Sequence, residues 1–364
     1  MPGAAPRYAW VLAGPHVPAS SEQAEPRAEF NLFQQRYGGA LLSRSSLAGP
    51  LPPLPAALRK LGWPVMSLAS LVQAEAGRFD AIIASGEDIG VPVALAGLAR
   101  FSRVPVHVLF HGHHLESVKL RALAPLLRQV PQLHLHCLSA ALRARAMAVL
   151  GLPPGRVHAT GYGVDTRYFT PTAPGEEALI ASAGAARRDY ATLAEAVSPL
   201  PVALRIAADS TWKPPGEGMA ARPWPANVSV RSYGDYARLR ALYAAARFVV
   251  VPLHPAPHAC GYAVMAEAMA MGRAVIATRT AAPPDFLLHG ATGLFVEPHD
   301  SVGLRAAIRS LLDHPEEAAA MGQRASALMQ AEHSLERYCA RLEQAVAASL
   351  PRAAPVVQAR WRAF

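Results

Sequence analysis

Residues 248–300 restrict the possible folds of this chain more than any other stretch. They contain an apolar run at 248–253, an Ala- and Met-rich run at 261–272 and a second β-branched run at 274–278. Short β-branched runs favour buried strands, and small apolar residues over three turns favour a buried helix. A strand, a helix and a strand in this order form a β-α-β unit, whose crossover is right-handed. The sequence therefore predicts an α/β fold.

Two residues of the predicted helix indicate a ligand. Gly261 stands where the helix begins, and the bare N–H groups and positive dipole of a helix start favour a phosphate. Glu267 is the only charged residue between positions 248 and 272, and burying a carboxylate without a partner is costly. Glu267 either faces a cleft or a neighbouring Arg and serves structure alone, or accepts hydrogen bonds from hydroxyls of a ligand whose phosphate lies at Gly261.

The rest of the chain repeats the alternation of strands and helices. A Pro-rich stretch at residues 171–177 is the best linker, because such segments join domains. We therefore expect two Rossmann-like domains facing a cleft, at residues 1–170 and 171–345, followed by a tail at 346–364. The other predicted strands are residues 8–12, 79–84, 104–110, 133–138, 179–183, 202–207 and 227–232. Residues 151–158 are predicted to form a turn and then a strand, and residues 290–293 a turn before residues 294–296.

Composition excludes several classes of protein. With 52% hydrophobic and 17% charged residues, the chain is globular rather than disordered. It has no apolar run of about 20 residues, as a membrane span needs, and no signal-peptide pattern at its N-terminus. Three cysteines at unrelated spacings argue against a disulfide framework. We expect a cytoplasmic protein.

The chain is basic, with a net charge of +9. This charge fits phosphate-bearing ligands or an anionic membrane better than nucleic acid, because no zinc-finger or RNP-type segment is present. The stretch 119–128 is basic and apolar together. It is either a solvated helix face or a peripheral contact with the inner face of a membrane.

Several segments, in this order and spacing, resemble the GT-B glycosyltransferases of the family-4 type, which transfer a sugar from a nucleotide donor with retention. The resemblance covers roughly residues 104–345. The segments that carry it are Gly161-Tyr-Gly-Val-Asp165 with Phe169 and Pro171, Arg187-Arg188-Asp189-Tyr190 with Thr192-Leu193, Ser232-Tyr233-Gly234, Leu242-Tyr243 with Ala246, residues 260–272, Pro284-Asp285, and Gly290-Ala-Thr-Gly293.

The resemblance implies a donor site in the second domain. Glu267 matches the second glutamate of the family's E-x7-E motif and would hold the ribose hydroxyls. Arg188, with Arg187 beside it, matches the basic residue that neutralises the leaving diphosphate. The backbone at the predicted helix start would meet the distal phosphate, and its residues are Cys260, Gly261, Tyr262 and Ala263.

Other positions complete the site that the resemblance implies. Tyr233 and Gly234 lie where the family holds the nucleobase, and His111 matches a histidine that touches the donor sugar. Gly14 follows the first strand, where a glycine loop approaches donor and acceptor. The implied catalytic residues are His111, Arg188 and Glu267, and the first domain would bind the acceptor.

Two positions depart from the family pattern. The first glutamate of E-x7-E would be residue 259 and a phosphate-binding arginine would be residue 185, but the chain has Ala259 and Ala185. His258 offers a replacement for the sugar contact. The departures keep open a non-catalytic relative that binds nucleotide or glycan.

The sequence contains no recognisable metal-binding motif. It has no Asp-x-Asp motif, and the spacing of His111, His113 and His114, or of His254, His258 and Cys260, matches no zinc motif. We therefore expect no metal. Glu87 and Asp88 follow a predicted strand and either contact the acceptor or begin a helix, where acids are favoured.

The resemblance therefore implies a retaining, metal-independent glycosyltransferase. It would need no cofactor, and would move a sugar from a UDP- or GDP-linked donor to a small-molecule, glycan or lipid-linked acceptor. An NAD(P)-dependent enzyme is disfavoured because no G-x-G-x-x-G follows residue 12 or residue 183.

Overall fold

The computed structural model describes residues 6–14, 25–173, 178–208 and 223–350. They divide into two compact units. The first takes its described residues from Met1–Pro18, Ala28–Gly161 and Tyr338–Phe364, and the second from Ala19–Arg27 and Tyr162–Arg337. The division differs from the predicted boundary at residue 171. The predicted tail falls almost wholly outside the described residues, as do residues 174–177 of the linker.

The first unit is built on a six-stranded parallel sheet in the order β2-β1-β3-β4-β5-β6. Its strands are β1 Tyr8–Val11, β2 Ala40–Leu42, β3 Ala81–Ala84, β4 Val106–Phe110, β5 Leu133–Cys137 and β6 Val157–Ala159. Its helices are α1 Glu29–Tyr37, α2 Pro53–Lys60, α3 Pro64–Ala74, α4 Glu87–Ala99, α5 Val118–Arg128 and α6 Ala140–Leu150. The order of the strands reverses between β1 and β3.

The second unit repeats this architecture with the order β12-β11-β10-β7-β8-β9, again all parallel. Its strands are β7 Leu179–Ala183, β8 Ala203–Ala207, β9 Val228–Arg231, β10 Phe248–Val251, β11 Ala274–Thr278 and β12 Gly293–Val296. Its helices are α7 Tyr190–Val197, α8 Tyr236–Ala245, α9 Tyr262–Ala270, α10 Ser301–Asp313 and α11 Pro315–Glu332. The last helix of the chain, α12 Leu335–Ser349, begins in the second unit and lies mostly in the first.

Strand order fixes where a ligand binds in such sheets. Read from β9, the second sheet has the classical Rossmann order, and its direction reverses between β7 and β10. Ligands bind outside the carboxyl ends of the strands at this reversal. The two Rossmann-like sheets predicted from the sequence are confirmed. Strand β2 was missed because its three residues are too few to show a period.

Two glycines hold α9 and α11 close together. Gly272 ends the turn after α9 at φ +77°, a conformation that favours glycine. A Cβ at Gly322 in α11 would overlap the backbone oxygen of Gly272. Helix α11 therefore packs against the turn after α9 at a distance that only glycine permits.

Arg273 is buried in the second unit and joins the segment before β7 to the end of α8. Its guanidinium donates to the carbonyl oxygens of Tyr243, Thr172, Ala173 and Ala244, at 2.8–3.0 Å, and to Thr172 Oγ1 at 2.7 Å. Burial lowers its pKa to about 10. These bonds compensate the buried charge.

None of the helices in the described part of the chain combines the length and the apolar character that a membrane span needs.

Four histidines lie side by side across β4, β5 and β6 of the first unit. His107 Nδ1 is 2.9 Å from His136 Nε2, and His134 Nδ1 is 3.3 Å from His158 Nε2. Burial, and then the charge of neighbouring histidines, holds the pKa of His107 and His136 well below 6.5. Burial first, then His158 and Arg156, lowers the pKa of His134 to about 4. Burial, and then the charge of Arg143, also lowers the pKa of His158, so the whole cluster favours its neutral form in the folded protein.

Acidification should destabilise the first unit. Unfolded histidines take up protons below about pH 6.5 while the folded cluster does not, so the unfolding free energy should fall between pH 6.5 and about 4. Hydrogen exchange of β4 and β5 amides, corrected for intrinsic rates, measures this. The His134→Gln variant should lose part of the dependence. Equal protection of these strands at pH 7 and pH 5 would contradict the prediction.

Candidate functional site

The candidate site lies where strand order reverses in the second unit. The turn after β7 and the loop after β10 meet there through their backbones. The N–H of Asp189 donates to the oxygen of Pro252 at 3.1 Å, and the N–H of His254 donates to the oxygen of Arg187 at 2.9 Å. The sequence places basic residues on the first segment and a helix start after the second, so the fold brings both to one point.

Helix α9 begins at this point without a side-chain cap. Gly261 is its N-cap residue and has φ +76°. A Cβ at Gly261 would lie 2.9 Å from Val251 Cγ1 and 3.1 Å from Met265 Cε. Ala263, in the first turn, is exposed, whereas the following residues are buried. An uncapped helix start beside an exposed first turn suits an anion.

Glu267 lies two turns into α9 and is only 8% exposed. Its Oε2 accepts a hydrogen bond from Tyr243 Oη at 3.0 Å. Burial raises the Glu267 pKa to about 8, against the opposing effects of this bond and of the Arg188 charge. The carboxyl group is therefore mostly protonated at neutral pH, and a ligand that donates further hydrogen bonds would favour its ionised form.

Arg188 lies in the turn after β7, half-buried. Its Nε donates to the oxygen of Ala183 at 2.7 Å and its Nη1 to the oxygen of Ala186 at 2.8 Å. The guanidinium covers Gly184, where a Cβ would overlap it. The charge of Arg188 lowers the pKa of Glu267 and opposes the burial that raises the pKa of Cys260. Arg188, Cys260 and Glu267 therefore share one electrostatic environment.

Two neighbours complete this group. Arg187 is exposed, has φ +59° and donates from Nη2 to the oxygen of Pro255. Cys260 is buried with its Sγ 3.8 Å from the oxygen of Ala186. Tyr262 is also buried, and its Oη donates to the oxygen of Ala282 at 2.9 Å. Its side chain thus anchors the first turn of α9.

Tyr233 and Gly234 lie apart from this group. They follow β9, the edge strand, which is separated from β7 by β8. Gly234 has φ +69°, so the chain turns sharply as it leaves the strand. Like Arg188, both residues follow the carboxyl end of a strand of this sheet. Their predicted role in holding the nucleobase stays a prediction.

The first unit holds the remaining predicted residues at the carboxyl ends of its strands. His111 follows β4; its N–H donates to Glu87 Oε2 at 3.1 Å, and its Nδ1 lies 3.7 Å from the same oxygen. Burial lowers the pKa of His111, but Glu87, and then Glu29 and Asp88, raise it by more. The pKa of His111 therefore lies above its ordinary value. Burial also opposes the ionisation of Glu87, yet His111 lowers its pKa to about 2. Gly14 follows β1, next to the strand reversal.

Two contacts of these residues were not predicted from the sequence. The sequence around Tyr243 in α8 resembles that of an ordinary core residue. Only the fold shows that the hydroxyl group of Tyr243 reaches Glu267. Glu87 was expected at the acceptor or at a helix start, and it does begin α4. Its contact with His111 joins the segments that follow β3 and β4, and nothing in the local sequence predicts it.

A cavity of about 800 Å³ lies elsewhere in the second unit. Arg247 and Arg273, which precede β10 and β11, line it together with Gln323 and Gln330 of α11. It is therefore at the amino ends of these strands, and none of the predicted site residues lines it. We place the candidate site by strand topology and by the chemistry of the side chains rather than by cavity size.

Residues 185–314 match the model of a family described as Glycosyl transferases group 1. No curated protein sequence matches the chain.

Three solved structures illustrate the similarity of fold. Sucrose-phosphate synthase from Thermosynechococcus elongatus has a TM-score of 0.71 at 18% identity, covering 93% of this chain and 98% of that one. Anabaena Alr3699/HepE, in complex with UDP and glucose, has a TM-score of 0.70 at 16% identity, covering 94% and 100%. A glycosyltransferase from Rickettsia africae has a TM-score of 0.70 at 15% identity, covering 94% and 98%.

These structures share the two Rossmann-like units of the GT-B glycosyltransferases, so the predicted fold class is confirmed. The resemblance to GT-B glycosyltransferases is confirmed as well. The family-4 subtype stays a prediction.

Glu267→Gln should stabilise the free protein at alkaline pH. The Glu267 pKa is raised to about 8, so ionisation in the unfolded chain should lower wild-type stability as pH rises from about 4.5 to 8. The stability of the uncharged variant does not fall in this way. The unfolding temperature of the variant should therefore exceed that of the wild type by a difference that widens from pH 5 to pH 8, by about 2–4 °C for each kcal/mol of stability.

The exposed Glu317 provides the matched control, and Glu317→Gln should show no such gap. Identical unfolding temperatures of wild type and Glu267→Gln across the pH range would show that burial does not raise the pKa of Glu267.

Proposed function

We propose that this chain is a retaining glycosyltransferase that uses a nucleotide-diphosphate sugar as donor. The observation that carries the proposal is the convergence of the uncapped start of α9, the Arg188 guanidinium and the buried Glu267 at the strand reversal of the second unit. The match of residues 185–314 to group 1 glycosyl transferases supports the same reaction class.

The start of α9 and Arg188 would stabilise the leaving diphosphate. As the bond between sugar and phosphate breaks, negative charge develops on the phosphate oxygens. Backbone N–H groups at a helix start and a guanidinium stabilise such charge when they are already oriented. Arg188 is held by Ala183 and Ala186 before any ligand arrives. This positive charge is why we propose a transfer that needs neither a metal ion nor a cofactor.

Glu267 would hold the ribose of the donor. Tyr243 occupies Oε2, and the remaining acceptor positions of the carboxylate suit a pair of vicinal hydroxyls. Each hydroxyl that donates to the carboxylate stabilises its ionised form. Binding would therefore convert a mostly protonated acid into a carboxylate.

His111 of the first unit would donate a hydrogen bond to the donor sugar. Glu87 raises the pKa of His111 and so favours its protonated form, in which both ring nitrogens are donors. We assign no protein base, in keeping with the retaining mechanism that the resemblance implies.

The first unit would bind the acceptor: a small molecule, a glycan or a lipid-linked sugar. UDP is the nucleotide to test first, because Alr3699/HepE, which shares the fold, was solved with UDP. GDP-linked donors are the next choice.

The alternative is a non-catalytic binding protein. Ala185 and Ala259 lie on the two loops of the site, and each replaces a polar residue of the family pattern. Binding of UDP without turnover of any UDP- or GDP-sugar, even with a panel of acceptors, would favour it.

Glu267→Gln should weaken binding of UDP while the protein stays folded. A hydrogen bond to a charged group contributes about 1.5–3 kcal/mol, so the loss of one corresponds to about a 10- to 150-fold rise in Kd. Calorimetry measures this, and Glu317→Gln is the control. An unchanged Kd for UDP would show that Glu267 does not bind the nucleotide.

Arg188→Ala should lower turnover more than binding. A donor aimed at developing charge contributes about 10²- to 10³-fold to kcat. The matched control is Arg279→Ala, because Arg279 is an exposed arginine of the same unit that pairs with Glu297 at 3.2 Å. Donor hydrolysis and transfer assays provide kcat and KM. An equal effect of both variants on kcat would contradict the role of Arg188.

A further inference from the structure

Three side chains of the second unit meet beside the candidate site: Asp189, His254 and His299. Their ligand atoms all lie within 4.8 Å of one another, and they form a group of three that could hold a metal ion. Asp189 caps the start of α7, His254 follows β10, and His299 follows β12. The group therefore joins three segments that are distant in sequence.

The distances suit a metal ion. His299 Nδ1 lies 2.8 Å from Asp189 Oδ2, and His254 Nδ1 lies 3.7 Å from the same oxygen. Zinc binds His nitrogen and carboxylate oxygen at about 2.0–2.2 Å in tetrahedral geometry, which separates two ligand atoms by roughly 3.4 Å. One pair is closer than this and the other is farther apart. Small side-chain movements would bring all three atoms onto one ion.

The carboxylate is already oriented by the protein. Asp189 is buried, and Thr192 donates to it twice, from N to Oδ1 at 3.1 Å and from Oγ1 to Oδ2 at 2.8 Å. Outer hydrogen bonds of this kind orient metal ligands and raise their affinity. The side chains of His254 and His299 are 45% and 57% exposed, so an ion can reach them from solvent.

The backbone at His299 has an unfavourable conformation. Its φ is +60°, which non-glycine residues seldom adopt because it costs free energy. The capping of α7 needs only Asp189 and its bonds to Thr192. An ion pair between Asp189 and His299 explains one close contact, but not the approach of a second imidazole to the same oxygen.

We propose that Asp189, His254 and His299 bind a divalent transition-metal ion of the zinc type. Two imidazoles and one carboxylate favour zinc, cobalt or nickel over magnesium and calcium, which prefer oxygen ligands alone. The ion would fix the segment after β12 to the loops that carry Arg187 and Arg188. The proposal does not depend on glycosyl transfer, and the ion takes no part in the transfer proposed above.

Titration of the full-length chain with ZnCl₂ tests the proposal. The protein must be free of a histidine tag and stripped with EDTA. We expect one Zn²⁺ per chain by calorimetry and a rise in unfolding temperature that MgCl₂ does not produce. Cobalt in place of zinc should give the visible absorption of a tetrahedral site.

Two variants remove a ligand and keep the local backbone. Asp189→Asn retains a residue that caps helices well, and His299→Asn retains one that tolerates positive φ. Each should weaken zinc binding by at least the 10- to 100-fold that loss of an outer partner costs. The control is His314→Asn, since His314 is exposed in the same unit with its Nδ1 3.9 Å from Glu316. Unfolding curves without metal show whether each variant folds.

Wild-type zinc affinity in both ligand variants, or no zinc binding by the folded wild type at millimolar concentration, would overturn the proposal. Equal weakening in His314→Asn would show that surface histidines bind the ion adventitiously, which overturns it as well.

Discussion

The burial of Glu267 is the interaction on which the candidate site depends. A carboxyl group in the interior of an apolar helix, bonded to one tyrosine hydroxyl, is stable chiefly as the neutral acid. Its ionised form needs further hydrogen-bond donors, which a ligand with adjacent hydroxyls supplies. In the proposed complex with a nucleotide donor, the Glu267 carboxyl group would therefore gain further hydrogen bonds. Acids with a shifted pKa are concentrated at functional sites.

The rest of the second unit keeps this acid in place. The backbone approach at Gly322 and the bonds of Arg273 hold two adjacent residues, Gly272 and Arg273, in the short turn that follows α9. The hydrogen bonds of Asp189 and His254 join the turn after β7 to the loop after β10. Since the bonds between this turn and this loop join backbone groups, the position of Arg188 relative to α9 is set by the sheet rather than by flexible side chains. Such preorganisation is what stabilisation of developing charge requires.

The sequence predicts most of the strands because their signals are local. Ser139 followed by an apolar run predicts a capped helix at residues 140–150, and the structure has this helix with Ser139 as its N-cap, since an apolar period and a capping residue act over a few positions. The helix start at Gly261 is confirmed for the same reason. The bond from Tyr243 to Glu267, the contact of Glu87 with His111 and the group around Asp189 could not be predicted. Each joins residues from different strands or helices, and their proximity follows from strand order, which no local pattern contains.

Proton release on nucleotide binding tests the central claim most directly. Calorimetry of UDP binding at pH 7, repeated in buffers with different ionisation enthalpies, counts the protons released. With a pKa of about 8 in the free protein, Glu267 should release close to one proton more in wild type than in Glu267→Gln. The same number of protons in both would contradict a Glu267 that is buried as an acid and ionised by the ligand.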